Sequence, residues 1–224
     1  MLHLGADLNA ISQQLPKNLT LSLQDGVLCL STTENPQSVL NVDFLSGVLS
    51  YRSQQHLGGE NLIKACRIKG RDHIRVLDGT CGLGTDSFLL HQAGFVVTAT
   101  EHNPIIQALL ADGIQRYQQL KGPCFELLYQ DAEALMNEST FEVIYLDPMF
   151  PAKAKSAKTK KTMQLFQTIH HEATDQADAL LNQALKSQCS RVVIKRPSKS
   201  PLLTHYKPTF QVSGKTCRFD VYQI

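Results

Sequence analysis

The run Val76-Leu77-Asp78-Gly79-Thr80-Cys81-Gly82-Leu83-Gly84-Thr85-Asp86 decides the fold. It closes a short apolar strand, Ile74–Asp78, turns through glycines and enters a helical stretch, Ser87–Ala93. Gly82 and Gly84 permit close backbone approach and unusual dihedrals. Such a loop can wrap a ligand at the carboxyl end of a strand. Its spacing is D-x-x-x-G-x-G rather than G-x-G-x-x-G, which disfavours a pyrophosphate seated on the helix N-terminus. Asp86 points the same way. An acid beside the loop repels phosphate and suits the positive amino and sulfonium groups of S-adenosylmethionine. A lone glycine turn can equally be a tight strand-to-helix connection, so its meaning depends on what surrounds it.

Downstream, strands and helices alternate. Strands are predicted at Phe95–Thr100, Phe125–Tyr129, Val143–Leu146 and Arg191–Lys195, and helices over Pro104–Gln119 and Met163–Lys186. Pro104 suits a first helical turn. Alternation of this kind implies a doubly wound, mostly parallel α/β sheet. Phe210–Ser213 and Arg218–Gln223 flank Gly214-Lys215 as an antiparallel C-terminal hairpin. That closing hairpin separates a class I, Rossmann-like methyltransferase sheet from a dinucleotide-binding domain. Upstream, Leu19–Leu23 and Val27–Leu30 flank Asp25-Gly26, and Val39–Leu45 and Val48–Tyr51 flank Ser46-Gly47, which predicts two hairpins. Glu60–Ile68 carries helical spacing. The expected organisation is a small β-rich subdomain over residues 1–60 and the α/β domain over 61–224.

Two further acids sit where such a sheet would place them at its carboxyl edge. Glu101 ends the second α/β strand and can accept hydrogen bonds from ribose hydroxyls, the role an acid plays in dinucleotide folds. Asp131, before Ala132, follows the third strand and could meet an adenine amino group. Either could instead cap a helix. For Glu101 that role falls to Asn103, so Glu101 is the stronger ligand candidate.

The sharpest signal is Tyr145-Leu146-Asp147-Pro148-Met149-Phe150-Pro151, after the fourth strand. Exocyclic amines of nucleobases are poor nucleophiles because the nitrogen lone pair is delocalised into the ring. Acceptors on the amine N–H groups can turn that lone pair toward an electrophile. Asp147 supplies one acceptor and the Pro148 carbonyl a second, while the prolines fix the loop. Phe150 can stack on the base. This is orientation and electrostatic preorganisation without a covalent step. The bland alternative is a proline turn with Asp147 as a cap and Phe150 in the core. Its order behind the glycine loop and Glu101 weighs against that.

Charge is divided along the chain. Residues 1–147 hold nine Lys or Arg against sixteen Asp or Glu, and residues 148–224 hold thirteen against four. Lys153, Lys155, Lys158, Lys160 and Lys161 follow the proline loop, and Lys195 and Arg196 end the fifth strand. In a doubly wound sheet these would surround the amine pocket. Phosphate contacts would then position a nucleic acid while a splayed or flipped base supplies specificity. A solvated lysine-rich loop is the plain alternative. Six scattered cysteines without a C-x-x-C pair suggest neither zinc nor disulfides, and a reducing cytoplasm is expected. His170-His171 cannot share a helix face, so no metal is expected. No apolar run has the length of a membrane span.

Together, Leu77–Asp86, Glu101-His102-Asn103-Pro104, Tyr145–Pro151, Lys195-Arg196-Pro197 and Arg218-Phe219-Asp220 resemble the ribosomal RNA small subunit methyltransferase J family. Val42-Asp43-Phe44 and Gly58-Gly59-Glu60 are similar to its N-terminal part. The resemblance runs from about residue 40 onward. It implies S-adenosylmethionine as cofactor and methylation of the exocyclic N2 amine of a guanine in 16S rRNA of the small ribosomal subunit. Carried across, Thr85-Asp86, Glu101-His102, Asp131-Ala132 and Asp147 would contact the cofactor, beside Asp78, Gly82 and Gly84. The sequence departs from the family pattern, which has Arg at the positions of Thr85 and His102 and Ser at that of Asp131. From the residues alone an adenine or cytosine amine remains open, as does a non-catalytic RNA-binding assembly factor. A Rossmann oxidoreductase is disfavoured by the glycine spacing.

Overall fold

The computed structural model describes residues 11–13, 15–148, 177–203 and 205–224. The chain opens with an antiparallel sheet of β1 (Leu19–Gln24), β2 (Val27–Thr32) and β3 (Asn35–Leu40). Gln24 pairs with Val27 across Asp25-Gly26, the first predicted hairpin. The second predicted hairpin does not form, and Gly47–Ser53 is instead helix α1. Asp43 accepts the Leu45 N–H at 2.8 Å and the Ser46 hydroxyl at 2.5 Å, turning the chain into that helix. Val48 and Tyr51 are 83% and 69% exposed, so the apolar alternation read there as a strand has no face to bury. A short turn, Leu57–Gly59, leads to α2 (Asn61–Cys66), within the predicted helical span.

The second sheet then builds in alternation from β4 (Arg75–Asp78), α3 (Thr85–Gln92), β5 (Val96–Thr100), α4 (Pro104–Lys121) and β6 (Glu126–Leu128). It continues with α5 (Ala132–Glu138), β7 (Val143–Leu146), α6 (Ala177–Lys186), β8 (Arg191–Pro197), β9 (Phe210–Ser213) and β10 (Cys217–Gln223). Strand order is β6-β5-β4-β7-β8-β10-β9. β4 through β8 pair in parallel, and β10 pairs antiparallel with both β8 and β9. This is the doubly wound α/β sheet with an antiparallel C-terminal hairpin. All four residues of β7 are buried, as parallel strands covered on both faces require. Of the predicted helix Met163–Lys186, α6 is the part within the described residues.

The N-terminal sheet rests on α4 and shares a hydrophobic core with the main sheet, Leu28, Leu30 and Leu40 clustering with Val76, Val97 and Leu110. Asp112, fully buried in α4, accepts the Leu28 N–H at 3.2 Å and Arg116 Nε at 2.9 Å. Arg116 also donates to the Val42 carbonyl. A Cβ on Gly113 would lie 2.5 Å from Val42 Cγ1, so only glycine lets the two layers approach this closely. Phe44 stacks on Phe88 of α3 with centroids 4.5 Å apart. The segment after β3, through Phe44, therefore supports the glycine loop from beneath.

Candidate active site

Five parallel strands, β4 to β8, deliver their carboxyl ends to one edge, and the glycine loop crosses there. Asp78, 1% exposed, closes the loop upon itself. One of its oxygens accepts the Thr80 N–H at 3.1 Å and the other the Ser87 hydroxyl at 2.5 Å. Burial pushes its carboxyl up to about 7, although the Ser87 and Thr80 bonds pull the other way. Gly84 has φ +75°, and a Cβ there would lie 2.6 Å from Leu110 and 3.1 Å from Phe44, so no L side chain fits. Gly79 donates to the Tyr145 carbonyl and Cys81 to the Thr100 carbonyl, both at 3.0 Å, stitching the loop to β7 and β5.

Glu101, at the end of β5, accepts the Gly82 N–H on one oxygen and the Asn103 N–H on the other, each at 2.9 Å. Its carboxylate is thus fixed against the loop. Asn103 caps α4 by accepting from Ile105 and Ile106, as the sequence predicts. His102 holds Nδ1 at 3.6 Å from Glu101 while its side chain faces outward. Asp131 makes no side-chain capping bond to α5, so its carboxylate is not consumed in the role that competes with ligand binding.

On the β7–β8 side the contacts are ionic. Lys195 Nζ lies 2.7 Å from Asp86 Oδ2 and 2.8 Å from Asp147 Oδ2. Tyr145, buried in β7, donates its hydroxyl to the same Asp86 oxygen at 2.6 Å. The Asp147 N–H donates to Thr80 Oγ1 at 2.6 Å, so the glycine loop also sets the start of the proline loop. Burial raises the Asp147 carboxyl, Lys195 opposes this and Asp86 adds to it, leaving it above the ordinary carboxylate range. Burial lowers the Lys195 ammonium, but Asp147 and Asp86 more than reverse this, and it stays charged. Tyr145 is pushed up by burial and by the acids around it, so its hydroxyl stays protonated as a donor.

These groups line one cleft of about 1270 Å³ that also includes Thr85, Ala132 and Pro148. The structure therefore brings together Asp78, Gly82, Thr85, Asp86, Glu101, His102, Asp131, Ala132, Asp147 and Pro148, with Gly84 beneath the loop. Phe150, Lys153, Lys155, Lys158, Lys160, Lys161 and His170-His171 lie outside the described residues. The two cations expected around the amine pocket are placed differently from one another. Lys195 is in the cleft, matched by two carboxylates. Arg196, 5% exposed, donates to the Pro201 carbonyl at 2.9 Å and to Ser200 Oγ at 3.3 Å. Adjacent strand residues point to opposite faces, which is why the two part company. Thr80 and Tyr145 are site residues that sequence reasoning did not single out. The six cysteines are free thiols. Among the described residues no group of His, Cys, Asp and Glu is arranged to hold a metal, and no helix is long and apolar enough to cross a membrane.

The acidic wall suits a cationic ligand with sugar hydroxyls and an amino group. With the sheet order and the closing hairpin, it defines a class I methyltransferase that uses S-adenosylmethionine. A family described as "Putative SAM-dependent methyltransferase" matches residues 6–224. The chain is 42% identical to ribosomal RNA small subunit methyltransferase J of Alteromonas mediterranea, over 94% of this chain and 84% of that one. It is 40% identical to the protein of that name from Alcanivorax borkumensis, over 91% and 83%. A solved SAM-dependent methyltransferase from Neisseria gonorrhoeae superposes with TM-score 0.71 at 32% identity, covering 94% of this chain and 85% of that one. The chain belongs to the ribosomal RNA small subunit methyltransferase J family.

Proposed function

We propose that this chain methylates the exocyclic N2 amine of a guanine in 16S rRNA of the small ribosomal subunit, in the cytoplasm. The observation that carries the reading is Asp147: a carboxylate at the end of β7, held by Thr80 through its backbone and by Lys195 through one oxygen, directly before Pro148. Lys195 engages Oδ2, which leaves Oδ1 to accept an amine N–H. The Pro148 carbonyl accepts the second. Together they turn the nitrogen lone pair out of the ring's conjugation and toward the cofactor side of the cleft. Bound S-adenosylmethionine supplies an electrophilic methyl group on a sulfonium. Asp147, its carboxyl raised by burial, is placed to take the proton that the methylated amine releases.

The cofactor's contacts follow from the same wall. Glu101 takes the ribose hydroxyls, Asp131 with Ala132 meets the adenine, and Asp86 with Thr85 faces the amino-acid end. Phe150 stacks on the target base, and Lys153, Lys155, Lys158, Lys160 and Lys161 contact phosphates around it. The names of the relatives support RNA of the small subunit as substrate. Labelled methyl transfer to unmodified small subunits, followed by mass spectrometry of the nucleosides, tests the reading. The expected product is N2-methylguanosine. A methylated adenine or cytosine would overturn the guanine assignment, and no transfer would overturn the RNA substrate.

A further inference from the structure

Arg218 is only 6% exposed and pairs with Asp220, itself 1% exposed, at 2.8 and 3.1 Å. It also donates to the carbonyls of Pro197, Ser198 and Ser200 at 3.2, 3.1 and 2.7 Å. Arg196 holds the same loop through Ser200 and Pro201. A buried ion pair is costly unless its remaining donors find partners. Here those partners are the last residue of β8 and the loop that follows it. Ser198 ties that loop to the β9–β10 turn, donating its N–H to the Thr216 carbonyl at 3.1 Å and its hydroxyl to the Lys215 carbonyl at 3.3 Å. Two surface loops are thereby fixed relative to one another.

Every exposed charged side chain among the described residues from 197 onward is a lysine: Lys199, Lys207 and Lys215. The acid of that stretch, Asp220, is buried against Arg218. A groove of about 650 Å³ runs between the loop and edge strand β9, with Lys207, Pro201, Gln211 and Phe210 on its walls. Phe210 and Leu202 are each 37% exposed and Tyr206 62% exposed beside it. Cations interleaved with exposed rings suit phosphates and unstacked bases. The register Cys217↔Pro197 puts the β9–β10 turn, with Lys215, and the start of the loop, with Lys199, just beyond the carboxyl end of β8, the edge that carries the cleft, while Phe210↔Val221 and Val221↔Val193 set Lys207 further back along the same face of the groove.

Resting on the RNA substrate proposed above, we infer that this loop pair is a second RNA-binding surface, where Lys199, Lys207 and Lys215 hold the phosphodiester backbone flanking the target nucleotide. It accounts for positive charge in the C-terminal third that the buried Arg196 and the matched Lys195 do not supply. The test is the triple variant Lys199→Gln/Lys207→Gln/Lys215→Gln, all three positions being exposed. Binding of protein-free 16S rRNA is measured across a salt series, alongside methyl transfer and S-adenosylmethionine affinity. The plot of log affinity against log salt should become shallower by about 2, three contacts at roughly 0.7 each. KM for RNA should rise on the order of tenfold with kcat and cofactor affinity unchanged. An unchanged slope and KM, with the unaltered chain active, would overturn this surface alone. Weaker engagement of whole subunits with unchanged binding of free RNA would also overturn it, since the lysines would then face a protein. No methyl transfer to RNA by the unaltered chain would overturn the substrate reading and this surface with it.

Discussion

On the β4–β5 side of the cleft, carboxylates close on nearby backbone. Glu101 holds the N–H groups of Gly82 and Asn103, and Asp78 holds that of Thr80. On the β7–β8 side they close on a side chain far away in sequence, since Lys195 is 109 residues from Asp86 and 48 from Asp147. The first side is a cradle closed by backbone donors on two carboxylates. The second is a charge-compensated cluster whose state depends on one lysine. A site that binds a cofactor and then activates a neutral amine needs both kinds, and here they meet at Asp86 and Thr80.

Substitutions can separate the two sides. The largest effect is expected from Asp147→Ala, which should lower kcat at least about 10³-fold in steady-state methyl transfer, the scale of losing a preorganised electrostatic group. Normal turnover would end the amine-activation account. Lys195→Met should follow. Removing the cation leaves Asp147 and Asp86 as like charges and raises the Asp147 carboxyl further. Less of it is then ionised at a given pH, so the rising limb of the kcat–pH profile should move to higher pH. On that limb the rate should fall about tenfold for each pH unit by which the limb moves. Lys195→Arg should restore most of the profile. A purely structural role for Lys195 would leave the limb in place.

Smaller effects fall on the cradle. Gly84→Ala should destabilise by about 2–3 kcal/mol in denaturant unfolding, from the left-handed backbone and the clash with Leu110 together. A wild-type midpoint would contradict that packing. Smallest is the pH dependence from Asp78, whose folded value of about 7 exceeds the ordinary 3.8. Because the fold favours the protonated form, this contribution to stability is full below about 4 and is lost as pH rises through 7. The unaltered chain should lose a few degrees of Tm between pH 5 and 7.5 that Asp78→Asn does not lose. Equal slopes would mean that the carboxylate stays ionised in the fold.

The cradle was legible because its signals come in two local runs: an apolar strand, an acid and spaced glycines within residues 74–86, and an acid followed by a helix cap at Glu101 and Asn103. The alternation of short strands with helical stretches from Ile74 onward announced the parallel sheet. Lys195 is legible as a cation beside the amine pocket, but nothing in its neighbours shows that Asp86 and Asp147 both close on it. The hydroxyl bond from Tyr145 to Asp86, 59 residues away, has no local signature. The false hairpin at Ser46-Gly47 shows the converse. Asp43 reaches forward to Leu45 and Ser46, a local bond that overrides the alternation of Val48 and its neighbours.

The division of the cleft is tested most directly by one paired measurement on Asp147→Ala and Glu101→Ala: calorimetric affinity for S-adenosylmethionine and the single-turnover rate of methyl transfer at saturating cofactor. A crossed result is expected. Asp147→Ala should keep affinity within about threefold and lose the chemical step, while Glu101→Ala should lose affinity by roughly tenfold or more and keep a measurable rate once saturated. Parallel losses of affinity and rate in both variants would contradict it.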